Sequence, residues 1–168
     1  MSNYSRKDLL DADATMNQLR NMVTHLQRFM KKSGVENIIE RYRRMGKQMA
    51  DTYINYWKPI DSVKLANIRD VIATIYKKIV GSQINISINE KEHLITVVDS
   101  NCSLCKYQFD DINVAGCEII LALVSEMINL INKNSPDSSR LRLEPFAVKE
   151  SRTFGDDSCV QIYKYKIE

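Results

Sequence analysis

The sequence predicts an α+β fold, with three N-terminal helices, a β-hairpin, a central apolar helix and a second hairpin forming a helical layer on a four-stranded antiparallel sheet. Three observations predict it. Apolar residues recur every three or four positions through the first half of the chain. The period then falls to two at Ile84, Ile86 and Ile88. Beyond that, Ile112–Ile131 is apolar around its whole circumference, as a helix buried on several sides would be.

Each element has its own signal. Met16, Leu19, Met22, Val23, Leu26, Phe29 and Met30 define an amphipathic helix that starts within 5–14 and ends near Ser33-Gly34. Its stripe is heptad-like, so it suits a partner helix as well as its own core. A second helix over Val35–Trp57 turns Ile38, Ile39, Tyr42, Met45, Met49, Tyr53 and Tyr56 inward and stops before Pro59. Asp61 or Ser62 caps a third, which carries Leu65, Ile68, Val71, Ile72, Ile75, Tyr76 and Ile79 and ends at Gly81. The Ile84–Ile88 strand turns at Asn89–Glu92 into a β-branched partner, His93–Asp99. After the central helix, a loop over Asn132–Ser139 holds Pro136. Arg140–Glu150 and Ser158–Ile167 then read as two strands about Phe154–Asp157, with Pro145 marking an edge or bulge.

The composition suits one domain over residues 1–168, with 1–15 as a flexible lead-in. The chain is 44% hydrophobic and 27% charged, values usual for a globular protein. A net charge of +3 is too small to argue for a nucleic-acid partner. No run of about 18 apolar residues predicts a membrane span. The polar start, Met-Ser-Asn-Tyr, is not a secretory signal, and Ser2 stands where myristoylation needs glycine. A cytoplasmic protein is expected, so its four cysteines read as thiols or metal ligands rather than disulfides.

The order of elements resembles that of four-vinyl-reductase-like domains and of the Bet-three-type core subunits of TRAPP, the transport protein particle that tethers vesicles. Three segments bring it closer to TRAPP. Arg44-Met-Gly-Lys-Gln-Met-Ala-Asp-Thr-Tyr53 is similar to that family's Met-Gly turn in its second helix. Asp70-Val-Ile-Ala73 through Val80-Gly81 resembles its third helix, and Ile112–Ile131 sits where it has its central helix. The resemblance runs over Leu26–Ile167. It implies a non-enzymatic module that forms homodimers or heterodimers through its helices and works at membranes with a small GTPase. Leu19, Met22, Leu26 and Phe29 are then the expected dimer interface. Some members enclose an apolar channel and carry an acyl chain on a cysteine before the third helix. That position is Ser62 here, which argues against acylation. A channel would be lined by Met49, Tyr53, Ile68, Ile72, Ile120 and Val124. The alternative is a four-vinyl-reductase-type sensor of a small apolar ligand, often with zinc held by cysteines and a glutamate.

Cys102-x-x-Cys105 has the spacing that lets two thiolates grip one metal, and is half a site. Cys117, Cys159 and Glu150 are the residues that could complete it. Glu150 and Cys159 match the zinc-binding relatives' pattern, so Cys102, Cys105, Glu150 and Cys159 form the expected zinc set. The relatives' further cysteine is Thr153 here, a departure from that pattern. The plainer alternative makes Cys117 and Cys159 small buried hydrophobes and leaves Cys102 and Cys105 exposed in a loop. A redox role for the pair lacks the preceding βαβ unit.

The remaining constellations are weak. His25 and His93 have no sequence neighbour that makes a nucleophile pair, and there is no Gly-rich phosphate loop or His-Glu-x-x-His motif. No catalytic set can be assembled, so no enzyme is expected. The strongest charge feature is the basic face Arg41, Arg43, Arg44 and Lys47. Against an anionic membrane each such group contributes about 1 kcal/mol. A merely solvated helix face is the alternative. Tyr163 and Tyr165 fit sheet packing better than base stacking.

Overall fold

A computed structural model describes residues 6–135 and 141–167. Four helices and four strands follow in the order α1 (Arg6–Lys32), α2 (Ile38–Tyr53), α3 (Ile68–Ile75), β1 (Asn85–Asn89), β2 (Leu94–Asp99), α4 (Cys117–Lys133), β3 (Leu141–Glu150) and β4 (Cys159–Ile167). The α+β class and the ααα-ββ-α-ββ order are those expected. Of the expected lead-in, residues 1–5 lie outside the described ones, and α1 is helical from Arg6. Of the loop over Asn132–Ser139, residues 136–139 lie outside them as well.

The strands form one antiparallel sheet in the order β1-β2-β4-β3. Period-two alternation sends Ile95 and Val97, Tyr163 and Tyr165, and Leu141 and Leu143 into the core. The helices cover that face. Pro145 lies in the edge strand β3, and the β3–β4 register shifts between Pro145 and Ala147 and again between Val148 and Glu150. Pro145 is thus both an edge and a bulge residue, as its missing N–H requires.

Helix α4 fills the space between the sheet and α2. Its Asn129 side chain accepts from Leu143 N and donates to Leu143 O, each at 2.9 Å. Asn132 accepts from Val63 N at 2.8 Å and donates to Val63 O and Leu141 O at 3.0 and 2.7 Å. These two amides tie the helix to β3 and to the segment before α3.

Helix α2 buries a different stripe from the one its large side chains suggest. Ile38, Tyr42, Gly46 and Ala50 face α4, whereas Ile39, Met49 and Tyr56 are exposed. The reason is backbone proximity. A Cβ on Gly46 would lie 2.2 Å from Ile119 O and 2.9 Å from Leu123 N. Small residues let the helices touch, Met49 is rotated outward, and Met45 stays half-buried against the smaller cluster.

Two further boundaries differ from expectation. The third helix starts at Ile68 rather than near Ser62. Asn67 Oδ1 accepts from Lys64 N at 2.8 Å and Asn67 Nδ2 donates to Ser62 O at 3.2 Å, which stabilises a turn there instead. A π-type turn over Tyr76–Val80 carries the chain on to Gly81. The central helix begins at Cys117, and 112–116 is a loop buried at all but Asn113. Its backbone is satisfied by Gln27 of α1, which accepts from Asn113 N and Val114 N at 3.0 and 3.1 Å and donates to Val114 O at 2.8 Å.

Candidate metal centre

The four cysteines arrive from three elements and converge. Cys102 and Cys105 lie in the connection after β2, where Cys105 N donates to Cys102 O at 3.3 Å and folds the CxxC into a turn. Cys117 opens α4, and Cys159 opens β4 opposite Asp99. All four are free thiols with no solvent exposure, and their Sγ atoms lie within 4.8 Å of one another.

This donor set fits a soft divalent metal. Four sulfurs about 2.3 Å from a zinc ion stand about 3.8 Å apart in a tetrahedron, a separation that the cluster accommodates. Thiolates favour zinc over hard ions such as magnesium or calcium. With four protein ligands and no exposed edge, the arrangement is of the closed, structural type. Ser151 Oγ lies 3.7 Å from Cys159 Sγ, so the group has an outer polar neighbour.

The thiols also bias one another. The Cys105 thiol is held well below the usual range, chiefly by hydrogen bonding to Cys102 and then to Cys117 and Cys159. Cys102 is pushed up mainly by its bond with Cys105, and Cys117 mainly by its bond with Cys102. One thiolate accepting from its neighbours is the first step toward metal ligation, because only deprotonated sulfur ligates.

Glu150, expected as a ligand, is exposed and lies outside the cluster, and Cys117 occupies the fourth place. The irregularity between Val148 and Glu150 changes the facing of the strand end, and the next residue, Ser151, turns inward instead. Cys102 and Cys105 are buried, not exposed in a loop. The one available signal for Cys117 was a cysteine at the head of the most apolar segment.

The other expected sites are placed as follows. Ile68, Ile72, Ile120 and Val124 are buried together in the main core with Tyr53 packed against it, while Met49 is 46% exposed beside Met45, Tyr53 and Tyr56. The expected channel set is therefore split between core and surface. On α1, Met22 is 65% and Phe29 66% exposed, and Leu19 is also exposed. Leu26 instead packs inward on a smaller cluster with Met30, Ile38, Tyr42, Val114 and Ile119.

The basic face loses one member. Arg43 Nε donates to the buried Glu118 carboxylate at 2.7 Å, and its other nitrogens donate to Pro145 O and Phe146 O at 3.2 Å. Arg43 thus braces α2, α4 and the β3 bulge, leaving Arg41, Arg44 and Lys47 exposed. Deeper in the core, Tyr76 OH donates to Gln161 Oε1 at 2.8 Å and lies 2.8 Å from Tyr163 OH. Burial pushes both phenols above their usual range.

No protein-family model matches the sequence, and a search of curated proteins finds no match. Solved structures do match. One is the crystal structure of a trafficking protein particle complex subunit 3 from Naegleria fowleri covalently bound to palmitic acid. The similarity covers 92% of this chain and 96% of that one, with a TM-score of 0.68 and 16% sequence identity. Among the described residues, no helix is long and apolar enough to cross a membrane. The chain has the fold of a Bet-three-type TRAPP subunit, as the order of its elements led one to expect.

Proposed function

We propose that the protein is a non-enzymatic scaffold of the TRAPP-subunit kind, stapled by a structural zinc ion on Cys102, Cys105, Cys117 and Cys159. The observation that carries the scaffold reading is a likeness of fold extending over nearly all of both chains. The outer stripe of α1, Leu19, Met22 and Phe29, is the pairing face for a second copy or a related subunit. Its large side chains are exposed in a row, and burying each stabilises by about 1.5–3 kcal/mol. Arg41, Arg44 and Lys47 on α2 would meet acidic lipid headgroups or an acidic patch on a small GTPase. On this reading the protein works in the cytoplasm, peripheral to membranes.

The zinc staple is shared with the sensor reading, and the four-cysteine cluster supports it under either one. An acyl chain on this protein is disfavoured. All four of its cysteines belong to the buried cluster, so thiol acylation would dismantle it. Native mass spectrometry tests both parts of the proposal. A dimer carrying one zinc per chain is expected, and Met22→Asp/Phe29→Asp should yield a zinc-loaded monomer. A wild-type protein that stays monomeric at tens of micromolar, alone and with candidate sister subunits, would refute the pairing role.

A further inference from the structure

We propose that the metal centre is the latch that holds α1 on the body of the protein, so that metal occupancy governs presentation of the α1 face. This rests on the zinc reading above and adds a regulatory consequence to it.

Three of the four cysteines bracket the connection between β2 and α4, Cys102 and Cys105 near its start and Cys117 just past its end, at the head of α4. The fourth, Cys159, belongs to β4, which pairs with both β2 and β3. A metal bound there would pin both ends of the connection to the sheet. Between the pins the segment has no regular structure. Its own backbone contributes turn bonds from Cys105 N to Cys102 O and from Ile112 N to Phe109 O, at 3.3 and 3.1 Å.

Helix α1 rests on this segment. Arg20 donates to Ser103 O, between the first two cysteines. Tyr107 OH donates to Asn17 Oδ1 at 3.2 Å, and the Arg20 guanidinium stands 5.9 Å over the Tyr107 ring. The Gln27 amide holds Asn113 and Val114. Arg28 binds both Asp111 carboxylate oxygens, and Lys31 donates to Asp111 O. Among the described residues, Tyr42 of α2 is a polar anchor that does not use the segment; it donates to Val23 O at 2.7 Å and lies 3.4 Å from Gln27 Nε2.

The two systems also approach each other closely at Gly116. A Cβ on Gly116, next to Cys117, would lie 3.2 Å from Leu104 Cβ, next to Cys105, and 3.4 Å from Val23 Cγ1 of α1. Two ligand-bearing turns and the helix therefore meet at one point. The apolar footing of α1 is the smaller cluster around Met30, Val114 and Ile119, distinct from the main core that contains the cysteines and bridged to it by Leu104, beside Cys105. That separation lets α1 come off without melting the sheet, as cooperative units of unequal stability do. With the metal bound the segment is held in the shape that α1 recognises. Without it, only hydrogen bonds between sulfurs join the four cysteines, and because S–H is a weak donor the platform loosens.

The test is hydrogen–deuterium exchange by mass spectrometry on the full-length chain, with metal content measured on the same samples. Zinc-loaded protein is compared with protein stripped by a zinc chelator. The expected result is at least tenfold faster exchange across 16–32 after chelation, with β2 and β4 still protected. If purified protein binds no zinc even when zinc is supplied, the zinc reading and the latch both fall. If zinc is bound but its removal leaves α1 protection unchanged, the latch alone falls. Simultaneous loss of protection in α1 and the sheet would also overturn it, since the metal would then be a global staple. Gln27→Ala/Arg28→Ala approaches the latch from the other side. It should release α1 while zinc stays bound, and either unchanged protection of 16–32 or loss of zinc overturns the proposal.

Discussion

Replacing Gly46 by alanine sets two effects of known size against each other. In a helix interior, Gly→Ala ordinarily stabilises by about 1 kcal/mol. At Gly46 the new methyl would lie 2.2 Å from Ile119 O, 2.9 Å from Leu123 N and 3.0 Å from Ala122 Cβ. An ordinary carbon–oxygen contact needs about 1 Å more than the shortest of these, and a radial gap of that size forfeits up to about half of a contact's attraction. The opposing atom is helix backbone, so no side-chain rotation relieves the clash and α2 must back away from α4. That movement weakens the packing of Ile38, Tyr42 and Ala50, all buried on the same face. Overpacking costs typically 1–3 kcal/mol, and backbone opposition places this case at or above the upper end. After the propensity gain, the expected loss is about 2 kcal/mol or more. For a domain of this size that is a fall of about 4–8 °C in Tm. Urea and thermal unfolding followed by circular dichroism measure it, with exposed Lys47→Ala as the control. A Gly46→Ala protein with unchanged or raised midpoints would refute the close approach of the two helices.

Other outcomes follow from the same geometry. Cys117→Ser should abolish stoichiometric zinc and lower stability by several kcal/mol, because the binding free energy of a structural metal is folding free energy; an unchanged zinc content by elemental analysis would refute its place in the set. Arg43→Met should cost about 3 kcal/mol in urea unfolding, since it strands the buried Glu118 carboxylate, and a cost near zero would refute the pairing. Tyr76→Phe should cost about 1–3 kcal/mol by leaving Gln161 Oε1 and the Tyr163 hydroxyl short of a partner, and a neutral substitution would count against that network. Arg28 holds the Asp111 carboxyl at about 2, below its ordinary 3.8. The lowered value means that this ion pair supports α1 above the ordinary carboxylate range and is lost as pH falls through about 2. NMR titration of the Asp111 side chain checks it, and a midpoint near 4 would show that the pair does not form.

The sequence by itself determined the local elements. Spacing of three and four along α1 and period two along β1 and β2 are set by the geometry of each element, so the pattern announces the element wherever it occurs. Pro145 identified an irregular edge strand for a similarly local reason, its missing N–H. Cys102 and Cys105 were legible as a pair because their spacing alone lets them share a metal. Only the tertiary structure decided which residues complete that pair and which way α2 faces. Glu150 and Cys117 are distant in sequence from Cys102, and an irregularity at the end of β3 turned Ser151 inward in place of Glu150. Hydrophobic periodicity records the polarity of side chains and carries no measure of how closely two backbones approach. It therefore pointed to Ile39 and Met49, both exposed, where Gly46 and Ala50 make the contact. The apolar run at 112–116 is likewise readable as helix until Gln27, remote in sequence, satisfies its backbone as a loop. In each case the deciding partner is far along the chain, and only folding brings it near.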